Sequence, residues 1–462
     1  MIKSWNYTDL PILQLGGDFY DPATPAVFPE QKLRYINSHI QNDLQIPHER
    51  FWDFKPLPSN LPTPLALRYH GHQFQHYNPQ LGDGRGFLYA QVLKSNQWYD
   101  LGTKGSGQTL YSRAGDGRLT LKGAVREILA TEMLETLKVQ TSKTLAVFET
   151  GESLERHDEP SPTRSAVLTR FSKGHIRIGT FQRLAYFKQT ENIQNLTSYC
   201  LQFYAPQIYN ELMATEAPDL KWAESFLKNT VRVNALLAAE VMMAGFIHGV
   251  LNTDNINISG ELFDYGPYRF MPEYDANFIA AYFDQQGLYS YGRQPVSFLW
   301  ALHQLAFALK VGFSDLETEL ILEEFSELFN AHTHRLFLQK LNLKSLTPES
   351  DHLLLQTFLT FLENNHLPFE QTFFDFNSLK VLQRPNLLQN YEKINHFNSV
   401  RQLIEKYEIL DTDLLKTDYH QNNKATTLLI HEIEELWKPI AENDDWSLFN
   451  HKLQSIRQRR GL

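Results

Sequence analysis

The 462-residue chain contains a single cysteine, Cys200. One cysteine excludes an intramolecular disulfide, a CxxC redox pair and a cysteine-rich zinc site. A chain of this length buries enough apolar surface to form a core without such cross-links. We therefore expect Cys200 to be a buried or half-buried thiol without a redox role.

Basic residues are not in excess either. The 43 Lys and Arg residues stand against 53 Asp and Glu residues, and the formal net charge is −10. Proteins that bind nucleic acid regardless of sequence carry a basic surface, so we expect no nucleic-acid partner. An acidic total still allows a local basic pocket for phosphates, because a cleft concentrates the field of the charges that line it.

Long hydrophobic runs are also missing. The most apolar stretch, 235–247, is interrupted by Glu240 and is shorter than the ~20 residues that a transmembrane helix needs. The first 20 residues show no apolar core of the kind found in signal peptides. We therefore expect a cytoplasmic protein with no membrane partner.

Secondary-structure patterns divide the chain into three parts. Residues 1–61 are rich in proline and predict an irregular arm that packs on the body. Residues 62–188 alternate β-type runs with turn signals, and residues 189–462 are mostly helical. We expect an α+β fold with a β-rich N-terminal lobe, a helical C-terminal lobe and a ligand cleft where they join.

Helical spacing of apolar residues predicts two helices. Leu121, Val125 and Ile128 recur at helical spacing and predict one helix inside the β-rich part. The segment 222–249 predicts a second, long helix that ends at Gly249.

The first candidate site is a glycine-rich segment in which Gly82, Gly84 and Gly86 surround Asp83 and Arg85. Glycines let a backbone approach a phosphate closely, and an arginine adds a forked donor. A hairpin turn is the alternative, because Asp-Gly favours turns.

A second Gly-Asp-Gly-Arg segment contains Asp116 and Gly117 and follows Lys104, which stands in a strand-like stretch. Glu127 lies further along, on the first predicted helix. In kinase-like folds a strand lysine is held by a helix glutamate and binds phosphate. A solvated lysine and a surface glutamate are the alternative interpretation.

Two arginines, Arg170 and Arg177, follow in the segment TRFSKGHIRIGTF. A strand-borne arginine beside a nucleotide neutralises phosphate charge. Isolated arginines more often lie on a protein surface. A phosphate-binding role for this pair is therefore supported only by the neighbouring motifs.

The most specific signal is HGVLNTDNINISGELFDYG, which has the spacing of the protein-kinase motifs H-R-D-x-x-x-x-N and D-F-G. His248, Asn255 and Asp264 match those motifs, whereas Val250 occupies the position of the kinase catalytic Asp. Asn255 and Asp264 offer oxygen ligands to magnesium, and Asp254 is placed to accept a hydroxyl proton. An Asn/Asp-rich turn is the alternative.

A cluster of three histidines is a competing candidate, as a metal-binding site. His70, His72 and His76 have a spacing that can bind zinc or copper. No carboxylate with ligand spacing accompanies them, so we favour packing and hydrogen-bonding roles.

The chain resembles the selenoprotein O / YdiU family in the segments that carry these candidates, from GHQFQHYNPQLGDGRGFLYAQV through HGVLNTDNINISGELFDYGPYRFMPEYD to QGLYSYGRQPVSFLWALHQLA. The similarity covers residues 62 to 310 in family order and spacing. It implies a protein-kinase-like pseudokinase fold that binds ATP in a flipped orientation. It also implies transfer of AMP, with magnesium or manganese, to Ser, Thr or Tyr of protein substrates.

The resemblance also implies roles for individual residues and makes Val250 a family feature. The implied ATP contacts are Gly82, Gly84, Arg85, Lys104, Asp116, Gly117, Arg170, Arg177 and Asp264. The other implied roles are Glu127 as the partner of Lys104, Asp254 as the proton acceptor, and Asn255 and Asp264 as magnesium ligands.

Three alternatives stay open from the sequence: UMP transfer from UTP with manganese, ordinary kinase activity, and a non-catalytic nucleotide-binding scaffold. The chain also departs from many relatives because it ends QSIRQRRGL, without a C-terminal cysteine or selenocysteine. Redox control through a disulfide is therefore not expected.

Overall fold

The computed structural model of the chain describes residues 9–44, 60–157 and 159–460. Its strands are β1 (Tyr20–Pro22), β2 (Lys32–Ile36), β3 (Leu65–Leu67), β4 (Gly71–Gln73), β5 (His76–Asn78), β6 (Leu88–Lys94), β7 (Gln97–Lys104), β8 (Leu119–Thr120), β9 (Lys143–Leu154), β10 (Thr163–Ser172), β11 (Phe246–Ile247) and β12 (Arg269–Phe270). Its helices are α1 (Ser38–Leu44), α2 (Leu121–Thr136), α3 (Ile178–Tyr186), α4 (Thr190–Tyr204), α5 (Pro206–Ala214), α6 (Asp219–Met243), α7 (Gln294–Gly312), α8 (Glu319–Leu341), α9 (Pro348–Asn364), α10 (Phe369–Phe376), α11 (Lys380–Gln383), α12 (Pro385–Tyr391), α13 (Phe397–Ile404), α14 (Asp418–Gln421), α15 (Ile430–Asn443) and α16 (Ser447–Arg460).

One antiparallel sheet forms the N-terminal part. Its strands run in the order β1-β3-β6-β7-β10-β9-β2, and β8 also pairs with β10. The edge strands β1 and β2 come from residues 20–36, so described parts of the expected N-terminal arm belong to this sheet. The central strands are largely buried, and residues 145–148 of β9 are completely buried.

Helix α2 packs on strands β9 and β10 and is the predicted helix of the β-rich part. Thr120 caps its N-terminus, because the threonine hydroxyl accepts a hydrogen bond from the Gly123 backbone at 3.1 Å. Leu121, Val125 and Ile128 are fully buried. The helix is therefore fixed at its start and along its length, which makes it a rigid support for a side chain aimed at the sheet.

The remainder of the chain is mainly helical from α3 to α16, and the predicted α+β class is confirmed. The prediction that the long helix ends at Gly249 was wrong, since α6 ends at Met243. Gly245 has φ +61°, in the left-handed region, and the ring of Phe369 fills the space beside it. A glycine in this conformation terminates a helix, so the chain turns there into β11.

Cys200 is buried among apolar residues of α4, and burial raises the pKa of its thiol well above the ordinary value. A protonated, buried thiol is chemically inert. Within the described ranges, no helix combines the length and the apolar character that crossing a bilayer requires.

The C-terminal helix α16 lies on α2. Arg457 donates to the buried carboxylate of Glu132 at 2.8 Å, and Arg460 lies 2.7 Å from Glu135. The Thr136 hydroxyl, at the end of α2, donates to the Ile456 carbonyl at 3.3 Å. The arginine-rich end of the chain therefore holds α2 against the sheet from its outer side.

Replacing Arg457 with methionine is expected to lower the free energy of unfolding by about 1–3 kcal/mol, because it leaves the buried Glu132 carboxylate short of its cationic donor. Urea or thermal melts measure the change. The matched control is Arg401→Met, which removes an exposed ion pair with Glu405 and is expected to leave stability unchanged. Equal melting curves for the two variants would contradict the proposed support of α2.

Candidate active site

A cleft of about 790 Å³ lies between the sheet and the helical part. Its walls come from the glycine-rich loop 82–87, the end of β7, the loop 111–118, and the two loops that contain 250–255 and 264–266. The predicted residues that line it are Gly82, Gly84, Arg85, Lys104, Asp116, Gly117, Arg170, Arg177, Asp254, Asn255 and Asp264. The structure therefore brings together segments that are far apart in sequence.

Lys104 stands at the C-terminal end of β7, and its ammonium group forms an ion pair with Glu127 of α2. Both side chains are almost fully buried. Burial lowers the pKa of Lys104, whereas the carboxylates of Glu127 and Asp264 act in the opposite direction. Glu127 does not line the cleft itself but holds the lysine from behind.

Arg170 lies beside Lys104 because of the strand register. In the antiparallel pair of β7 and β10, Arg170 is opposite Gly102 and Leu168 is opposite Lys104. Residues that are opposite each other share a face of the sheet, and so do residues two apart on one strand. The register therefore directs both cationic side chains to the cleft.

The carboxylate of Asp264 forms ion pairs with three cationic side chains of the cleft. Its Oδ1 lies 2.9 Å from Arg170 Nη2 and 3.3 Å from Lys104 Nζ, and its Oδ2 lies 3.1 Å from Arg177 Nη1. Burial alone would raise the pKa of Asp264, but the three cations hold it well below the ordinary value. The carboxylate is therefore ionised at every physiological pH.

The backbone at Asp264 has φ +59°, an unusual conformation for a residue with a side chain. Such positions are retained where the surrounding structure fixes them, and they concentrate at functional sites. The buried imidazole of His248 provides part of that fixation, because its Nε2 donates to the carbonyl of Phe263 at 3.0 Å. Its Nδ1 accepts from the Val250 backbone at 3.3 Å, so one ring joins the two motif loops.

Arg177 connects three acidic residues. Besides Asp264, it contacts Asp83 Oδ1 at 3.1 Å through Nη2 and donates to the Asp254 carbonyl at 3.0 Å. Its guanidinium stacks over the ring of Tyr69 at 4.3 Å. Planar donors held in this way lose little entropy when they bind a further oxyanion.

Asp254 lies in a short 3-10 turn, Thr253–Asn255, and is buried. Its Oδ1 has no hydrogen-bond partner among the described residues. Burial raises the pKa of this carboxyl to about 6, although the nearby Arg177 lowers it. A buried acceptor without a partner is costly, so this atom is suited to a ligand, a proton or a cation.

Asn255 is half-buried, and its amide nitrogen donates to the Val250 carbonyl at 2.9 Å. This hydrogen bond fixes the amide group of Asn255 and leaves its Oδ1 available as an acceptor. Asn255, Asp254 and Asp264 together offer one amide oxygen and two carboxylates, a hard oxygen donor set that suits magnesium or manganese. The free Oδ1 of Asp254 supports the fit of a cation to this place.

The first glycine-rich loop is packed closely against its neighbours. A Cβ at Gly82 would lie 2.3 Å from the ring of Tyr111, and a Cβ at Gly86 would lie 1.9 Å from the Thr103 carbonyl oxygen. Asp83 is half-buried there, and its Oδ2 accepts from the Leu67 backbone at 3.1 Å. The loop is not a simple hairpin turn, because a carboxylate inside it binds Arg177.

Replacing Gly86 with alanine is expected to lower the free energy of unfolding by about 1–3 kcal/mol, because the new methyl group meets a backbone oxygen of β7. Thermal melts measure the effect. Gly17→Ala is the matched control, because a Cβ there has no atom within 4 Å and is expected to be neutral. A Gly86→Ala variant as stable as the control would contradict the close packing of this loop.

The second glycine-rich segment lies at the mouth of the cleft. Asp116 is exposed, and its Oδ2 lies 2.8 Å from Arg156 Nη1. Burial alone would raise the pKa of Asp116, but hydrogen bonds from Arg156 and the Arg118 backbone lower it. The segment therefore borders the cleft from outside, whereas Lys104 and Asp264 lie inside it.

The histidine cluster supports the neighbouring loop. The hairpin of β4 and β5 contacts residues 252–254, since the His72 backbone donates to the Thr253 hydroxyl at 2.7 Å. The ring of His70 bonds the Tyr77 hydroxyl, and the ring of His72 bonds Gln182, both at 2.7 Å. Within the described part of the chain, no three His, Cys, Asp or Glu side chains form a metal-binding group.

The sequence interpretation missed several residues of the cleft, among them Asp83, Arg113 and His175. Asp83 and Arg113 stand inside or beside the two glycine-rich segments, so position alone could have indicated them. His175 lies between Arg170 and Arg177, and no spacing rule indicates it.

A family profile described as "Protein adenylyltransferase SelO" matches residues 3–457. The chain is 41% identical to a protein nucleotidyltransferase YdiU of Synechocystis sp., over 98% of each chain. It is 42% identical to the protein of the same description from Trichormus variabilis, over 96% of this chain and 94% of the relative. The Vibrio cholerae protein of that description is 35% identical over 79% of this chain and 74% of the relative. The predicted resemblance is confirmed: this chain belongs to the SelO family and is a nucleotidyltransferase.

Proposed function

We propose that this chain transfers the AMP moiety of ATP to a Ser, Thr or Tyr hydroxyl of a protein substrate and releases pyrophosphate. The observation that carries this proposal is the convergence of Lys104, Arg170 and Arg177 on Asp264, in the cleft that Asp254 also lines. Several buried cations can hold a polyphosphate, and a carboxylate in the same cleft can accept the proton of a hydroxyl group. The description of the family as a protein adenylyltransferase supports AMP as the group and a protein as its acceptor.

A protein-kinase-like arrangement of the chain is part of this proposal. In this arrangement, residues 62–188 are the N-terminal lobe, the edge strands β1 and β2 of the expected arm 1–61 complete its sheet, and residues 189–462 are the C-terminal lobe. The ion pair between the strand residue Lys104 and the helix residue Glu127 supports it, because kinase-like folds use such a pair to hold phosphate.

In the proposed reaction, the acceptor hydroxyl oxygen attacks the α-phosphorus. The bond from this phosphorus to the oxygen that bridges to the β-phosphate breaks, and pyrophosphate leaves. Asp254 orients the hydroxyl and takes its proton, for which a pKa of about 6 is favourable because the carboxyl is ionised at neutral pH.

The cations have a separate role in this scheme. Lys104, Arg170 and Arg177 hold the β- and γ-phosphates, and Arg85 adds a further charge from the glycine-rich loop. The charge that develops on the leaving pyrophosphate meets donors that are already in position, so little reorganisation is needed. Positioning and electrostatics therefore supply most of the acceleration.

Asn255 and Asp264 would hold magnesium or manganese in the cleft that Asp254 also lines. Such an ion would offset negative charge on the phosphate oxygens. The protein's own contribution is to present oxygen ligands from two loops that His248 joins.

Label transfer tests the proposal against ordinary kinase activity, which Val250 disfavours because an apolar side chain replaces the kinase catalytic Asp. The protein and an acceptor are incubated with ATP labelled at the α- or the γ-phosphate. We expect the α-label alone to remain on protein. Retention of the γ-label alone would contradict the proposal, and nucleotide binding without transfer under any divalent ion would favour a scaffold. The same assay with α-labelled UTP and manganese decides which nucleotide is preferred.

A further inference from the structure

The hairpin of β4 and β5 contacts the segment that carries Asp254, and the scheme above gives it no role. Its first contact is with Thr253, a completely buried residue whose hydroxyl accepts a hydrogen bond from the His72 backbone at 2.7 Å. The same hydroxyl donates to Gln182 Oε1 of α3 at 2.6 Å, and Gln182 Nε2 donates to His72 Nδ1 at 2.7 Å. These three residues therefore form a closed network between the hairpin, the helix and the turn that contains Asp254.

A second contact fixes the tip of the hairpin. Phe74 and Gln75 have φ +49° and +62°, in the left-handed region that a two-residue hairpin turn requires and that Asn-Gly usually occupies. The Phe74 backbone donates to Asn252 Oδ1 at 3.0 Å, and the Phe74 ring packs on Tyr289 with 5.0 Å between the ring centres. The Tyr289 hydroxyl donates to the same Asn252 oxygen at 2.7 Å. Unfavourable backbone conformations of this kind persist where the surrounding structure fixes them, and they concentrate at functional sites.

The third contact is with Asp254 itself. A Cβ at Gly71 would lie 3.0 Å from both Cβ and Oδ1 of Asp254, closer than an ordinary van der Waals contact. The side chain of Asp254 is therefore packed against the hairpin at a position where glycine leaves room for it. Its backbone is held separately, because Arg177 donates to the Asp254 carbonyl at 3.0 Å.

We propose that the hairpin of β4 and β5 positions the Asp254 carboxylate for transfer, an inference that rests on the proposed function. Gly71 leaves the space in which the carboxylate lies. His72 and Gln182 hold the turn that presents it, through the hydroxyl of Thr253. All four are positioning residues, because they act on the reaction through Asp254.

The hairpin should affect the rate of transfer and not the affinity for the nucleotide. The ion pairs between Asp264 and the three cations of the cleft are formed by other elements, so these cations keep their places when the hairpin changes. A displacement of about 1 Å in a reacting group can cost about 10²-fold in rate. A hairpin that contributed packing alone would change the stability and leave the rate of the folded protein as it is.

Thr253→Val tests the network, because valine keeps the shape of the side chain and removes the hydroxyl. Single-turnover transfer of the α-label from ATP to the chain itself or to added casein gives the rate, and calorimetry of the full chain with α,β-methylene ATP and magnesium gives the affinity. We expect the rate to fall about 10²-fold and the affinity to stay unchanged. Thr253→Ser restores the hydroxyl and is expected to recover most of the rate.

Gly71→Ala tests the same role from a second contact. Its methyl group would displace the Asp254 carboxylate, so the rate is expected to fall here too, again with unchanged affinity. This variant decides the test if Thr253→Val does not fold. The matched control is Thr197→Val, because Thr197 of α4 is equally buried and its hydroxyl donates to the Ile193 carbonyl of its own helix at 2.8 Å. The control should bind and transfer as the wild type does.

A double variant separates positioning of Asp254 from an independent effect. In an Asp254→Asn background, Thr253→Val is expected to lower the rate no further, because the two changes remove the same contribution. A further loss of rate in that background, unchanged rates in Thr253→Val and Gly71→Ala, or losses of affinity as large as the losses of rate would overturn this role of the hairpin alone. Absence of α-label transfer by the wild type would instead contradict the proposed function too, so the two failures are distinguishable.

Discussion

Replacement of Asp264 with alanine is expected to reduce nucleotidyl transfer about 10³-fold. The variant loses a proposed magnesium ligand and also the carboxylate that lies between Lys104, Arg170 and Arg177. Transfer of the α-label in the presence of saturating ATP and magnesium measures the effect. Near-full activity of the variant would rule out Asp264 as the centre of the site.

A stability measurement has to accompany this assay. Without Asp264, three buried cations repel one another, and the free energy of unfolding is expected to fall by about 3–5 kcal/mol. Asp264→Asn keeps the shape of the side chain and separates the loss of charge from the loss of packing. Asp315→Ala, at an exposed aspartate of the helical part, is the control and should retain full activity.

Replacement of Asp254 with asparagine is expected to reduce transfer about 10²–10⁴-fold, while ATP binds as in the wild type. The amide keeps the size of the side chain but cannot take the hydroxyl proton. Label transfer gives the rate, and calorimetry with the non-hydrolysable analogue gives the affinity. Asp413→Asn, at an exposed position, is the matched control.

The two readouts separate the possible roles of Asp254. A lower rate with unchanged affinity supports the role of proton acceptor. A large loss of magnesium-dependent affinity would instead assign the buried, unpartnered Oδ1 to metal binding, and an unchanged rate would remove Asp254 from the reaction.

Motif spacing was sufficient to predict which residues meet at the cleft. The pair of Lys104 and Glu127 could be predicted because both residue types and their order are fixed by the strand and the helix that present them. Asn255 and Asp264 could be predicted because two loops with known spacing follow one helix. The structure places these residues around one cleft, and their roles remain predictions.

Contacts between distant segments could not be predicted. Asp83 pairs with Arg177 across 94 residues, and Arg457 pairs with Glu132 across 325 residues. Such pairs depend on the tertiary packing of whole elements, which local patterns do not contain. The end of α6 was misplaced for a related reason, because Gly245 rather than Gly249 terminates the helix where Phe369 packs against it.

A crystal structure with magnesium and α,β-methylene ATP would show how one nucleotide is oriented in the cleft. The expected result is a nucleotide whose β- and γ-phosphates contact Lys104, Arg170 and Arg177 and whose α-phosphate faces Asp254. A nucleotide that presents its γ-phosphate to Asp254, or that binds away from Asp264, would contradict it.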